Sequence, residues 1–255
     1  MAEGDTIMRL ALRMQASLAG ERIRAACPSS REPEGRPVAS LDGRALESAE
    51  SRGKHLLLRF SEGLVLHSHL GMKGAWHLYR PGERWRLPPS RAWISISGER
   101  AEAVNFSGTS MRIVRESELA RDRRLARLGP DVLAPELSEE RAAAALRGAG
   151  PEAELGEALL DQTLLAGIGN IFKSEGCFAA EINPWRRLGD LSDTELRRVA
   201  GATRELMLTA VRSGRAPRSV HRRAGMPCPS CRGPIESRAQ GDAARITYWC
   251  PRCQR

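Results

Sequence analysis

Long apolar stretches are missing from this sequence of 255 residues. No run approaches the roughly 20 apolar residues that a membrane-spanning helix needs. The first residues also lack the basic-then-apolar order of a secretory signal. We therefore expect a soluble cytoplasmic protein with no membrane partner, in which the six cysteines are reduced thiols or metal ligands. A chain of this length can form one large domain or two ordinary ones.

Lysine is scarce as well: only Lys54, Lys73 and Lys173 occur, so nearly all 40 basic side chains are arginines. The net charge is +9, and the excess lies in the last sixth of the chain. Residues 212–255 contain ten arginines against two acidic side chains, Glu236 and Asp242. A local basic surface favours a polyanionic partner, with nucleic acid ahead of acidic lipid.

The pattern of apolar residues predicts a β-rich first part and a helical second part. An amphipathic helix is predicted over residues 6–19, capped by Thr6 or Asp5. Short strands separated by Gly, Pro and Ser favour an antiparallel sandwich or barrel. These strands are 55–60, 64–70, 75–79, 92–97 and 111–115. Helices are predicted over 138–147, 156–165, 170–180 and 192–212. The α+β chain is expected to form three domains, 1–120, 121–215 and 216–255.

Two C-x-x-C pairs, "CPSC" at 228–231 and "CPRC" at 250–253, form the strongest motif. Zinc prefers four tetrahedral thiolates, and each such pair supplies two of them from one tight turn. The sequence between the pairs predicts a β-hairpin with its turn near Gln240–Asp242. We expect one structural Zn²⁺ ion bound by Cys228, Cys231, Cys250 and Cys253, with a redox dithiol pair as the alternative. Cys27 and Cys177 are expected to be small, buried apolar side chains.

The stretch "LLDQTLLAGIGNIFKSEGCF" places Gly167 and Gly169 between two helices, with Asn170 opening the second. Glycine allows the positive φ of a tight turn and the close approach of a backbone. The amides of such a turn and the following helix N-terminus form a site for one phosphate. Asn170 could cap the helix and donate its side-chain amide to the anion. A plain helix hairpin with a glycine turn is the alternative interpretation.

These segments together resemble the formamidopyrimidine-DNA glycosylase and endonuclease VIII family. "ALLDQTLLAGIGNIFKSE" and "YWCPRCQR" are similar to its helix–two-turn–helix and zinc finger, and "AEGDT" to its amino terminus. "SRGKHLLLRFSEGLVLHSHLGMKGAWHLYRPGERW" resembles its N-terminal domain, particularly in the actinobacterial endonuclease VIII-like branch. The implied fold is an N-terminal helix on an antiparallel β-sandwich, followed by a helical domain that ends in a zinc β-hairpin.

The resemblance implies a bifunctional DNA glycosylase and abasic-site (AP) lyase of base-excision repair. Such an enzyme extrudes an oxidised base from damaged DNA, at a cost of a few kcal/mol for unstacking, and cuts its glycosidic bond. The implied protein is a bacterial monomer that associates with the nucleoid through DNA binding.

Catalytic roles are implied for Ala2, Glu3, Lys54 and Arg245. After removal of Met1, the amine of Ala2 attacks the sugar C1′ and forms a Schiff base. Glu3 supplies a proton to the sugar ring oxygen, Lys54 contacts the phosphate beside the lesion and assists β-elimination, and Arg245 grips the flanking phosphates. Without the resemblance, Glu3 would be a helix-start charge and Lys54 a solvated lysine at a strand end.

DNA contacts are implied for Met72, Arg127, Gly167, Gly169, Asn170 and Arg245. Met72 would fill the gap left by the extruded nucleotide, or else be a hydrophobic turn residue. The family's two other gap-filling residues have no clear match in 105–115, which favours oxidised pyrimidines over oxidised guanine. His67 and His69 share a strand face and are expected to be structural, because no third ligand lies nearby.

Ala2 stands where the family usually has proline, and this leaves two hypotheses open. A primary α-amine has a pKa of about 7.7–8.0, so a sizeable neutral fraction can attack an aldehyde, and activity would be retained in kind but reduced. Alternatively, the protein is a non-catalytic or impaired lesion- and abasic-site-binding protein on the same scaffold. A general zinc-finger DNA- or RNA-binding regulator is a third possibility, and it would make the Glu3 and Lys54 matches coincidental.

Overall fold

The structure, a computed structural model, describes residues 2–255. The predicted removal of Met1 therefore lies outside the described residues. The chain divides into two compact units that meet in sequence between Ala126 and Arg127. Across residues 2–255, none of the helices combines the length and the apolar character needed to cross a membrane. The three predicted domain boundaries stay predictions.

The first unit begins with helix α1 (Gly4–Leu18), whose apolar face carries Ile7, Leu10 and Met14. Strands follow it: β1 (Arg24–Ala26), β2 (Glu34–Gly35), β3 (Leu46–Arg52), β4 (His55–Phe60), β5 (Leu64–His69), β6 (Ala75–Tyr79), β7 (Ala92–Ser97), β8 (Glu102–Phe106) and β9 (Ser110–Arg115). Two short helices, α2 (Glu116–Leu119) and α3 (Arg123–Ala126), end the unit.

The strands form a five-stranded sheet of order β2-β9-β5-β4-β3 and a four-stranded sheet of order β1-β7-β8-β6. All pairs are antiparallel except β2 with β9. One core joins inward residues of β4, inward residues of β7 and the apolar face of α1. Burying each large apolar side chain contributes about 1.5–3 kcal/mol. The predicted helix-on-sandwich fold is confirmed.

The cap of α1 differs from the sequence-based expectation, and four strands of the first unit, β1, β2, β3 and β8, were not predicted. The N-cap of α1 is Glu3, not Thr6 or Asp5, and its carbonyl accepts the N–H groups of Thr6 and Ile7 at 3.0 and 3.2 Å. Strand β3 was not predicted, because as an edge strand it buries only Leu46 and Ala49 and its remaining residues are polar.

The second unit contains four helices of five or more residues in its described part: α4 (Glu139–Arg147), α5 (Leu155–Leu160), α6 (Asn170–Ala179) and α7 (Asp193–Ser213). It ends in a hairpin of β10 (Glu236–Gln240) and β11 (Arg245–Trp249). Helix α7 starts at a capping box between Ser192 and Glu195 and stops at Gly214, whose φ is +73°.

Helix α5 is shorter than the predicted helix over 156–165. It stops at Leu160 because Asp161 turns the chain away. The Asp161 carboxylate accepts the backbone N–H and the hydroxyl of Thr163, at 2.8 and 2.7 Å. Residues 161–169 are consequently a loop, and α6 starts immediately after it. The long loop places the glycines at the N-terminus of α6.

Candidate active site and nucleic-acid interface

The start of α1 joins a partly buried Ala2 to a fully enclosed carboxyl group. Ala2 packs against the core of the sandwich, and Glu3 is 1 % exposed. Ala2 lines a cavity of about 190 Å³ together with Thr6, Arg9 and Trp76. A buried carboxyl group therefore directly follows the cavity-lining Ala2 in the chain.

Asp5 is a second buried carboxyl group at this helix end, and the sequence analysis assigned it no role. Burial raises its pKa, while hydrogen bonds from Thr6 and the charge of Arg9 act in the opposite direction. The sequence predicts Asp5 only as a possible helix cap, and no local pattern indicates that its side chain is buried. Two carboxyl groups of different environment therefore flank the first turn of α1.

Lys54 lies in the turn between β3 and β4, immediately before His55. His55 is directly opposite His69 in the β4–β5 register. Burial, and after it the charge of Lys54, lower the pKa of His69. Lys54 is therefore close to the end of β5, from which the loop carrying Met72 leaves the sheet.

The loop after β5 projects Met72, whose side chain is 63 % exposed. The carbonyl of Leu70 accepts the N–H of Gly74 and the hydroxyl of Thr109, both at 3.1 Å, so the loop has a fixed base. Gly71 has a φ of +61° and lies against Thr109 where a Cβ would collide with it. An exposed, unbranched apolar side chain thus stands on a rigid turn.

A third histidine, His55, lies beside His67 and His69, but within residues 2–255 these three side chains do not form a group that could hold a metal ion. Nδ1 of His55 lies 2.8 Å from Nε2 of His67, and the rings of His55 and His69 have centroids 4.8 Å apart. Sheet pairing brings them together, and a pairing register cannot be read from one strand. Burial lowers the pKa of His55 to about 3 and of His67 to about 4, so the pair is neutral near pH 7. The charged side chains acting on the pair include Arg112 and Asp122.

The glycine loop before α6 is organised by the side chain of Gln162. Its Nε2 donates to the carbonyls of Leu160 and Ile168 at 2.8 and 3.0 Å, and its Oε1 accepts the N–H of Gly167 at 3.1 Å. Gly167 has a φ of +104°, which only glycine adopts readily. The predicted tight turn therefore exists at this position.

Asn170 opens α6 as predicted, but it is not the helix cap. The N-cap is Gly169, and the Asn170 side chain donates from Nδ2 to the carbonyl of Ile246 on β11 at 2.8 Å. One of its two amide hydrogens remains for a further acceptor. The side chain therefore links the glycine loop to the hairpin instead of closing the helix.

His221 lies next to Asn170 and was not singled out from the sequence. Its backbone N–H is held by the Glu175 carboxylate at 2.7 Å, and its ring stands edge-on to Tyr248 at 5.0 Å. Burial, ahead of the charges of Arg218 and Arg222, lowers the pKa of His221 to about 4, and a hydrogen bond with the Asn170 backbone opposes this. His221 belongs to no motif, so only the tertiary structure places it here.

Arg245 is exposed at the first position of β11, directly after the turn of the hairpin. The turn spans 241–244 and is closed by a hydrogen bond from Ala244 N to the Gly241 carbonyl at 2.9 Å. It lies slightly beyond the predicted Gln240–Asp242. Arg127, the remaining arginine implied to contact DNA, is exposed at the start of the second unit.

The four predicted cysteine ligands converge, with their sulfur atoms all within 4.8 Å of one another. Sγ of Cys228 lies 3.8 Å from Sγ of Cys253, and Sγ of Cys231 lies 3.5 Å from Sγ of Cys250. Four sulfurs at about 2.3 Å from one tetrahedral ion would lie about 3.8 Å apart, so the cluster fits a metal of that size. Cys177 lies elsewhere and is fully buried, which raises the pKa of its thiol to about 12.

Two family models match this chain over most of its length. The formamidopyrimidine-DNA glycosylase N-terminal domain matches residues 1–115, and the formamidopyrimidine-DNA glycosylase H2TH domain matches residues 128–221. "Probable endonuclease 8 2" of Streptomyces coelicolor is 39 % identical and covers 100 % of this chain and 94 % of its own. "DNA-(apurinic or apyrimidinic site) lyase Nei2" of Mycolicibacterium smegmatis is 35 % identical, and the match covers 100 % of this chain and 99 % of the relative.

Solved structures of Lactococcus lactis formamidopyrimidine-DNA glycosylase share the fold at 19 % identity. A complex with DNA containing N7-benzyl-Fapy-dG superposes with a TM-score of 0.83 and covers 99 % of both chains. A complex bound non-covalently to abasic-site DNA has a TM-score of 0.83 and covers 100 % of both.

The helix-on-sandwich unit, the helical unit with its glycine loop, and the four-cysteine hairpin define a DNA-repair glycosylase fold. The chain belongs to the formamidopyrimidine-DNA glycosylase and endonuclease VIII family. It is accordingly a DNA glycosylase and AP lyase of base-excision repair.

Proposed function

We propose that this enzyme acts on damaged DNA through a Schiff base formed by the amine of Ala2. The observation that carries the proposal is the placement of Ala2 on a cavity beside the buried Glu3. Once Met1 is removed, the neutral amine attacks C1′ of the extruded nucleotide and the base departs. Glu3 donates a proton to the ring oxygen, so that the sugar opens and the imine forms with loss of the amine's protons.

The remaining groups act on the DNA backbone in this proposal. Lys54 holds the phosphate beside the lesion, near the exposed Met72 that fills the vacated space in the duplex. Asn170 uses its second amide hydrogen for a phosphate, and the N–H groups around Gly167 and Gly169 add to the same site. Arg245 binds flanking phosphates bidentately, and its permanent charge stabilises the leaving phosphate of the second elimination.

We further propose that the four-cysteine cluster binds one Zn²⁺ with a structural role. Its sulfur spacing suits zinc, and four protein ligands leave no position for substrate. Atomic emission should find one zinc per chain, and a strong chelator should remove both zinc and DNA binding. Retention of full DNA binding without the metal would contradict the structural role.

Oxidised pyrimidines are the proposed substrates. The β8–β9 connection covers only residues 107–109, and Thr109 is its one exposed side chain. A threonine side chain is too short to fill the space of an extruded base. The β8–β9 connection therefore lacks the long gap-filling loop that the family uses with oxidised purines. The proposed active form is a monomer. It is proposed to be cytoplasmic and to associate with the bacterial nucleoid through DNA binding.

Borohydride trapping on an abasic-site duplex tests the central step. We expect a covalent complex whose digest carries the sugar remnant on the Ala2 peptide, and excision from thymine glycol duplexes faster than from 8-oxoguanine duplexes. The matched control is Lys73→Ala, which removes an exposed amine of the same unit that has no proposed role and should still be trapped. Trapping that maps to a lysine contradicts the role of the Ala2 amine. Tight abasic-site binding with no adduct at all favours the non-catalytic alternative that Ala2 motivates.

A further inference from the structure

A buried chain of hydrogen bonds joins the hairpin to the helices of the second unit. Lys173 of α6 donates from Nζ to Oγ1 of Thr247 on β11 at 2.5 Å. Thr247 donates to Oε1 of Gln240 on β10 at 2.6 Å. Nε2 of Gln240 donates to the Glu154 carboxylate at 2.8 Å and to the Pro184 carbonyl at 2.9 Å. Every bond runs in the same direction, from an ammonium group towards a carboxylate.

Three members of this chain are enclosed, and Glu154 at its far end is half-buried. Lys173 and Thr247 have no exposed surface, and Gln240 is 4 % exposed. Enclosing an ammonium group is costly unless hydrogen bonds and charges compensate it, and apolar side chains of similar volume often stabilise a fold as well or better. Aligned bonds in a low-dielectric interior strengthen one another and impose one geometry. A fixed geometry is thus what this chain adds beyond packing.

That geometry surrounds Arg245. Gln240 is paired directly opposite Arg245 in the β10–β11 register, and Thr247 lies two residues further along the strand of Arg245. The residue between them, Ile246, accepts the Asn170 amide. The end of the hairpin is therefore attached to the rest of the unit through both strands, at Gln240, Ile246 and Thr247.

Helix α5 is shaped to receive this end of the hairpin. A Cβ at Gly156 would collide with the side-chain amide of Gln240. A Cβ at Gly241, in the turn, would collide with the carboxylate of Glu157. Both glycines leave space that the hairpin contacts occupy, so the end of the hairpin packs tightly against α5.

We propose that Lys173, Thr247 and Gln240 are positioning residues that hold Arg245 at a set place relative to Asn170. The inference rests on the proposed function, in which Arg245 and Asn170 contact phosphates of the same strand. All three positioning side chains are buried, so their proposed effect on DNA is transmitted through Arg245. Their effect is to order the side chain of Arg245 before DNA binds. The guanidinium group is then already in place when the phosphate needs it in the transition state.

Substitutions of Thr247 separate positioning from simple packing. Thr247→Val keeps the volume and removes the hydroxyl, and Thr247→Ser keeps the hydroxyl. The matched control is Thr203→Val, because Thr203 is equally buried and its hydroxyl donates only to the Val199 carbonyl of its own helix, at 2.7 Å.

We expect Thr247→Val to lower kcat on an abasic-site duplex about tenfold with zinc retained, since small misplacements of a charged group are costly. Thr247→Ser should restore it, and Thr203→Val should remain within about twofold.

Gly156→Ala tests the same idea without removing any member of the chain. Alanine favours a helix over glycine, so the helix itself is not weakened, yet the new Cβ displaces Gln240. We expect a comparable fall in kcat. Wild-type kcat in a folded Thr247→Val protein overturns the inference, and so does an equal loss in Thr203→Val. If Thr247→Val does not fold, wild-type kcat in Gly156→Ala overturns it.

Amide hydrogen exchange keeps this inference distinct from the proposed function. Exchange at residues 245–247 should be faster in Thr247→Val than in Thr203→Val, whether or not the protein cleaves DNA. A wild-type protein that cleaves nothing, with this difference in exchange present, counts against the proposed function alone. Equal exchange in the two variants counts against the positioning chain.

Discussion

At the residue scale, the proposed chemistry depends on the first two residues after Met1. An α-amine has a lower pKa than a lysine amine and is neutral in a sizeable fraction near pH 7. Glu3 is held in place because its backbone caps α1 while its side chain is enclosed. Glu3 thus caps α1 through its backbone carbonyl, and its enclosed side chain is left for the proton transfer that we propose. Proline at position 2 would make the amine secondary and its imine a permanent cation.

We expect Ala2→Pro to increase the rate of strand cleavage at an abasic site, by about tenfold. The iminium it forms stays positively charged and withdraws electrons better than a neutral imine, and the ring fixes the attacking lone pair. Single-turnover kinetics on an abasic-site duplex measure this. An unchanged rate would mean that imine electronics do not limit the reaction.

Glu3→Gln should lower base excision by about 10²-fold to 10⁴-fold, because an amide cannot deliver the proton that opens the sugar. Asp5→Asn is the matched control, since it neutralises the other buried carboxyl group of the same helix turn. Excision of thymine glycol under single-turnover conditions distinguishes them. Equal losses in both variants would assign the effect to the fold of α1.

At the element scale, pairing of β4 with β5 brings imidazole side chains together within the five-stranded sheet. His55 and His67 face each other across the two strands, and Arg112 binds Asp122 close to them. Burial keeps both imidazoles neutral in the folded state. In the unfolded chain each would take up a proton near pH 6.5.

The free energy of unfolding should therefore fall as the pH drops from about 6.5 towards 4. In this window the unfolded chain binds protons that the folded one does not, since the folded pKa values are about 3 for His55 and about 4 for His67. His67→Gln retains a polar group towards His55 but removes one titrating site. Urea unfolding at several pH values should show a shallower decline in this variant, and an identical decline would contradict the assignment.

At the scale of the whole molecule, the net charge of +9 and its concentration in residues 212–255 determine how DNA is attracted. Arg245 lies in this basic segment, and its side chain is exposed on the hairpin. Each phosphate that a basic side chain neutralises releases counterions, so affinity should decrease as salt increases. Flat affinity between low and moderate salt would contradict the DNA-binding proposal.

Arg245→Ala should weaken binding to an abasic-site duplex and lower the slope of log affinity against log salt by about 1. Arg187→Ala is the control, because Arg187 is already paired with Glu152 at 2.7 Å and is expected to change the slope little. Fluorescence anisotropy across a salt series measures both slopes. Equal slopes for the two variants would remove Arg245 from the phosphate contacts.

The sequence by itself determined the class of fold, the cluster of four cysteines, the glycine turn and the amphipathic helix near the amino terminus. These features are local: a C-x-x-C pair, a glycine with positive φ or an apolar helix face needs only a few neighbouring residues. The tertiary structure alone decided the neighbours of His67, the role of Gly169 as the helix cap, the shortened α5 and the chain from Lys173 to Glu154. Each of these depends on strand register or on contacts between distant segments, and a single sequence has no local pattern that encodes them.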